Sequence, residues 1–159
     1  MDNQTVQKEM LIAFEYCYLH DDWVNPLKDA LDGLNAGQAA RKLSAESKSI
    51  WEIVLHTAVW NEDIVTRVRS KERSRPAEGA WPAIQGAGME QDWDRDKKRL
   101  WDSLESVRAM IESGSLDEIQ AGPYGIADLL CRYIHNGYHI GQITKMREFM
   151  DSDKPEDLP

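Results

Sequence analysis

The run SIWEIVLHTAVWNEDIVTRVRS, residues 49–70, restricts the fold more than any other segment. Its apolar residues recur at helical intervals for about five turns, and nothing in it alternates with the period of two that a half-buried strand needs. Ser49 and Glu52 stand at its start in the pattern of a capping box, in which each side chain accepts a hydrogen bond from the other residue's backbone N–H. Three more segments carry the same period. One runs from about Val6 to His20, with Val6, Met10, Ile12, Ala13, Cys17 and Leu19 as its apolar positions. Another runs from about Glu90 to Ser113, with Trp93, Leu100, Trp101, Leu104, Val107 and Ile111, and Gly114 is placed to stop it. The last runs from about Ile126 to Met150. Long amphipathic helices with no strand to cover them bury their faces against one another, so the expected fold is all-α, a four-helix bundle.

Between the first and second long helices the sequence predicts short extra helical segments. Asn25-Pro26 reads as an N-cap followed by a first-turn proline, opening a helix through Leu31 that Gly33 ends. NAGQAARKL adds another turn or two. The stretch SKERSRPAEGAWPAIQGAG, rich in Pro, Gly and charge, is expected to be a long connecting loop with Trp81-Pro82 tucked against the body. The ending DSDKPEDLP is acidic and broken by proline. The expected organisation is therefore one bundle domain over residues 1–150 and a frayed tail over 151–159. With 159 residues, 42% of them hydrophobic, the chain can build one core.

A formal net charge of −9 argues against nucleic acid or an anionic membrane surface as partner, since both need clustered Lys and Arg. No run approaches the roughly 20 apolar residues of a membrane span. The two cysteines, Cys17 and Cys131, lie far apart with no Cys-rich framework around them. They fit a reducing, cytoplasmic setting, each as a small buried hydrophobe.

The chain has four histidines, and two of them, His135 and His139, stand four apart in a helical segment. At about 100° per residue, such a pair points the same way one turn apart, so both imidazoles can reach one cation at about 2.0–2.1 Å. The residues between them are Asn136, Gly137 and Tyr138, so the glutamate that serves as base in an HExxH metalloprotease is missing. A pair alone is a weak site. His56, in the middle of the second long helix, is the natural third ligand. Three neutral imidazoles from two helices would leave a position open on the metal for water or substrate. The alternative is polar core histidines with no metal. His20, beside Asp21-Asp22, reads as a solvated helix end. Cys131, four before His135, is too far along the axis from His139 to share its ion and reads as core.

Other residues on the same faces are expected to surround the open side. Gln142 follows His139 by three, where its amide can orient a ligand or simply bond to a neighbouring helix. Trp60, four beyond His56, walls the pocket or belongs to the core. Asp63, seven beyond His56, is a pocket residue or a solvated one, and Glu52 is taken by the capping box. Gly137 and Gly141 lie about 200° from the histidines they follow, so a neighbouring helix, in the bundle or across a dimer, is expected to approach there.

These segments resemble the DinB-like superfamily (DinB/YfiT). DDWVNPLKDALDGLNAGQAA is similar to its early stretch, SIWEIVLHTAVWNED to its second-helix motif with one histidine, and IHNGYHIGQITKMRE to its fourth-helix signature of a histidine pair followed by Gly-Gln-Ile. The resemblance implies a four-helix bundle, a metal-binding triad of His56, His135 and His139, and a homodimer. It further implies a metal-dependent enzyme acting on a small molecule. Some members of the superfamily are S-transferases that use a low-molecular-weight thiol, and others are isomerases with similar cofactors. The other readings are a metal-binding or stress-response protein without turnover and a purely structural bundle. Three imidazoles do not select among Zn, Ni, Fe, Cu and Mn.

Overall fold

The structure is a computed structural model that describes residues 2–21, 23–114, 116–121 and 125–152. Its elements are α1 (Asn3–Tyr18), α2 (Leu27–Leu31), α3 (Ala36–Ala40), α4 (Ile50–Ser70), α5 (Glu90–Ser113), α6 (Leu116–Gln120) and α7 (Gly125–Ser152). Among the described residues there is no strand, as the helical period throughout the sequence requires. The long helices α1, α4, α5 and α7 pack around one core, α4 against both α5 and α7, and α1 against α5 and α7. The short helices α2 and α3 lie between α1 and α4 in the chain, where the sequence places them; α2 packs against α7 and α1, and α3 against α4 and α5. The short helix α6, packed on α7, carries no signal that the sequence reading used.

Most boundaries have a local cause. Ser49 and Glu52 form the expected capping box on α4, with bonds of 3.2 and 2.9 Å between each side chain and the other residue's backbone N–H. A second capping box, Asn35 with Gln38, opens α3. Gly33, at φ +68°, makes the left-handed turn that stops α2. Gly114 ends α5 differently: its φ is −80°, and a Cβ there would lie 2.5 Å from the Met110 carbonyl oxygen. Pro26, not Asn25, is the N-cap of α2, because the Asn25 amide instead donates to Thr144 Oγ1 on α7 at 3.2 Å. Helix α7 continues through Ser152, past the expected end at Met150, and the rest of the predicted tail, 153–159, lies outside the described residues.

On α1 the buried residues are Met10, Phe14 and Tyr18, a regular i, i+4 ladder, while Ala13 and Leu19 face outward. The expected stripe through Ile12, Ala13 and Leu19 was therefore too broad; the aromatic ladder decides which face turns inward. Trp51 and Trp93 are fully buried with ring centroids 5.2 Å apart. Each indole N–H has an acceptor, Asp96 Oδ2 for Trp51 and the Leu34 carbonyl for Trp93, both at 2.8 Å. A polar chain crosses the same interior. Asn136 on α7 donates to Tyr18 Oη on α1 at 2.7 Å and to Asn61 Oδ1 on α4 at 3.2 Å. Asn61 in turn reaches Ser103 Oγ on α5 at 3.3 Å, so one hydrogen-bonded set pins all the long helices in register.

One expectation about α7 fails, and the helix approach expected at its glycines is not met within this chain. Cys131 is exposed, not core, because its position turns outward beside Leu130 and Ile134. Gly137 and Gly141 meet no neighbouring helix within the chain: a Cβ at either would find nothing within 4 Å. Among the described residues, no helix is long and apolar enough to cross a membrane.

Candidate metal centre

Helices α4 and α7 run antiparallel, as their cross-contacts show: His56 meets His135, Asn61 meets Asn136, and Arg67 meets Asp128. On each helix, residues at three- and four-residue spacing form one stripe. Facing stripes stack in layers. Ile53 and Met146 lie at one end, the three histidines come next, then Trp60 and Arg132, and then Asp63, Arg67 and Asp128.

The histidine layer is compact. His135 Nε2 lies 3.3 Å from His56 Nε2 and 3.2 Å from His139 Nε2, and the three ligand atoms are all within 4.8 Å of one another. Two nitrogens bound tetrahedrally to one ion at about 2.0–2.1 Å lie about 3.3–3.4 Å apart, so these separations match the edges of such a site. His56 and His139 are buried and His135 is half-buried, which leaves one side of the cluster open.

The outer ring nitrogens settle which atoms face inward. His56 Nδ1 donates to the Ala80 carbonyl at 2.5 Å, and a carbonyl can only accept, so its Nε2 carries a lone pair. His139 Nδ1 donates to Gln142 Oε1 at 2.7 Å, and Gln142 keeps that orientation by donating from Nε2 to Tyr138 Oη at 3.0 Å. Two inward lone pairs thus flank His135 Nε2, whose single proton, if present, could satisfy only one of them. A shared divalent cation satisfies all three, and the donor set fits it. His135 Nδ1 is buried and has no hydrogen-bond partner among the described residues.

The family model of the DinB superfamily matches residues 25–143, three quarters of the chain. The chain belongs to the DinB superfamily. No curated protein and no solved structure matches it. The matched region spans all of α4 and α5 and includes each histidine of the cluster, consistent with the motifs on which the resemblance rested.

The electrostatics keep the three imidazoles of this DinB superfamily member neutral. Burial lowers His56 to about 4, assisted by the charges of the other two histidines and Arg132. Burial, the neighbouring His139 and Arg132 lower His135 to about 4. His139 is lowered by burial as well, against its bond to Gln142. At neutral pH the three rings therefore present lone pairs, the form a metal requires.

The other predicted site residues divide. Gln142 orients His139 and also lines an apolar cleft of about 430 Å³ that opens beside that ring, between Leu43, Ile53, Trp81, Met146 and Phe149. Trp60 touches the edge of His56, with centroids 6.3 Å apart, but lies on the opposite side of the cluster from this cleft. Asp63 is no ligand: it is buried, ion-paired to Arg67 at 2.6 Å and bonded by Ser74 Oγ at 2.6 Å. Glu52 stays in its capping box. Burial acts against its charge, yet the Ser49 backbone and lysines 48 and 42 hold it down to about 2. His20 is exposed, as expected.

The residue that sequence reasoning did not assign to the site is Trp81. Its ring stacks on His56 from the loop after α4, and Lys48 Nζ lies 5.0 Å from its centroid. The only signal was a Trp-Pro pair inside a Gly- and Pro-rich loop, which marks an anchored loop and not the place where it lands.

Proposed function

We propose that His56, His135 and His139 hold a divalent cation (Zn, Ni, Fe or Mn) and that the protein is a metal-dependent enzyme acting on a small molecule in the adjoining cleft. The observation that carries this is the pair of Nε2–Nε2 separations, 3.3 and 3.2 Å, with two of the rings locked by Ala80 and Gln142 to face inward. A divalent cation bound there would supply Lewis acidity, favouring the thiolate form of a thiol donor. Ile53, Trp81, Met146 and Phe149 give the cleft apolar walls that keep water from the reacting atoms, and its size suits a small ligand.

Among the described residues, no carboxylate lines this cleft. That favours a reaction needing no strong side-chain base, and S-transfer from a low-molecular-weight thiol is such a reaction. The thiol sulfur forms a bond to the electrophilic carbon, and the carbon's bond to its leaving group breaks with the electron pair departing on that group. The thiol proton passes to solvent. The same lack of a carboxylate favours a second reading, a metal-binding or stress-response protein without turnover. In our reading the protein works in the reducing cytoplasm, where Cys17 and Cys131 stay free, and forms a homodimer through the exposed face of α7 that carries Leu130, Ile134 and Tyr138.

Elemental analysis of protein purified without a histidine tag tests the first step. Stoichiometric metal that disappears in His135→Ala supports the site, and protein that binds none of the four metals refutes it. Conjugation of bacillithiol, mycothiol, glutathione and coenzyme A to a reactive electrophile tests the second. A rate no greater than that of His56→Ala protein with every thiol would leave the reading without turnover.

A further inference from the structure

Beyond the histidines, the next layer holds N–H donors without acceptors. Arg132 stands one turn before His135 on α7, and its guanidinium carbon lies 5.0 Å from the ring centroid of Trp60, one turn after His56 on α4. Arg132 is only 9% exposed. Among the described residues it makes no hydrogen bond or ion pair, and its Nε is buried with no acceptor. The indole Nε1 of Trp60 is likewise buried with no acceptor. The carboxylates closest to hand, Asp63 and Asp128, both serve Arg67, at 2.6 and 3.4 Å. Buried N–H groups are nearly always satisfied, and buried cations are nearly always paired. Neither group can accept, so neither can satisfy the other. The nearby buried acceptors Asn136 Oδ1 and Asp63 Oδ2 hydrogen-bond to neither group, so what both N–H groups lack is an acceptor within reach, and the guanidinium makes a negatively charged one the best fit.

We propose that Arg132 and the Trp60 indole N–H form a receptor for a small oxyanion, the carboxylate or phosphate end of a ligand whose remainder reaches the histidine cluster. The two helices supply one donor each, the guanidinium lies over an aromatic face, and its charge is felt at each of the three imidazoles. The receptor needs no cation at the histidines, so it stands or falls separately from the metal reading.

The test is a titration of the metal-free full chain followed by 1H–15N NMR of indole and arginine Nε–H signals. Sodium acetate and sodium phosphate are the probes, with sodium chloride as the ionic-strength control. The Trp60 and Arg132 signals are identified by their loss in Trp60→Phe and Arg132→Lys. The expected result is a saturable shift of both signals with at least one probe. Saturation by acetate alone points to a carboxylate ligand, and saturation by phosphate alone to a phosphate ester. In Arg132→Gln the dissociation constant should rise about tenfold or more. If that variant does not fold, the wild-type titration still decides. No saturable shift with either probe, or an unchanged constant in Arg132→Gln, overturns the receptor and leaves water as the acceptor.

Discussion

The ring of Trp81 lies flat against that of His56, centroids 3.9 Å apart and planes 17° from parallel. The adjacent residue, Ala80, accepts the His56 Nδ1 proton. Two consecutive loop residues therefore fix the tilt and the tautomer of one imidazole. Trp81→Ala should weaken zinc affinity by up to about tenfold, the range expected for one aromatic pair, while Trp81→Phe should retain most of it. Competition against a chromogenic chelator reads both; equal affinity in the alanine variant would mean that the stack does not position His56.

Gln142 gives a sharper case. Its Oε1 is the acceptor for His139 Nδ1, and outer partners of this kind commonly contribute about 10–100-fold to metal affinity. Gln142→Leu should show a loss of that size with little change in melting temperature without metal, since Gln142 lies at the rim of the cleft. The same chelator competition, paired with thermal melts in EDTA, separates the two effects.

Ligand binding should appear as stability. At a free zinc concentration about 100 times the dissociation constant, the wild-type protein gains roughly 2.7 kcal/mol, or about 5–10 °C in melting temperature. His135→Ala should fold, because that side chain is only half-buried, and should gain almost nothing from zinc. An equal zinc response in the variant would place the metal elsewhere.

The fold and the histidine cluster were legible to different depths. Ser49, Glu52 and the apolar period that follows fix α4, and α5 begins and ends where its tryptophan and leucine spacing predicts. The histidine cluster was readable because its members sit on regular helices, where a residue number converts into a direction. Trp81 and Ala80 were not, since a loop has no period and its landing place depends on tertiary contacts. Cys131 was misread for a related reason: helical spacing tells which residues share a face, but not which face is covered. Trp60 shares the face of His56, and yet the cleft opens on the other side, toward the loop between α3 and α4 and the end of α7.

The metal-free protein should lose stability in mild acid. His56 and His135 are lowered to about 4, whereas an unfolded histidine takes up its proton near 6.5. As the pH falls through that window the unfolded chain binds protons that the folded chain refuses, so the stability present above about 6.5 is progressively lost and levels off below about 4. Denaturation midpoints across this range should fall less steeply in His56→Gln than in wild type. With zinc added the wild-type fall should steepen, because protons then compete with the metal.

The buried polar chain can be tested by a single truncation. Asn136→Ala strips a donor from both Tyr18 Oη and Asn61 Oδ1 and should cost about 2–4 kcal/mol in urea unfolding. A loss below about 1 kcal/mol would show that water replaces the amide.

His56 and His135 are 79 positions apart, and each belongs to a helix that needs the other for cover. In the proposed metal reading, a nascent chain still lacking α7 offers one imidazole and no chelate, so a cation would have nothing to settle on until the last helix has docked. Loading would then be an event of completed folding: metal content would become an assay of native protein, and misfolded copies would declare themselves by arriving empty.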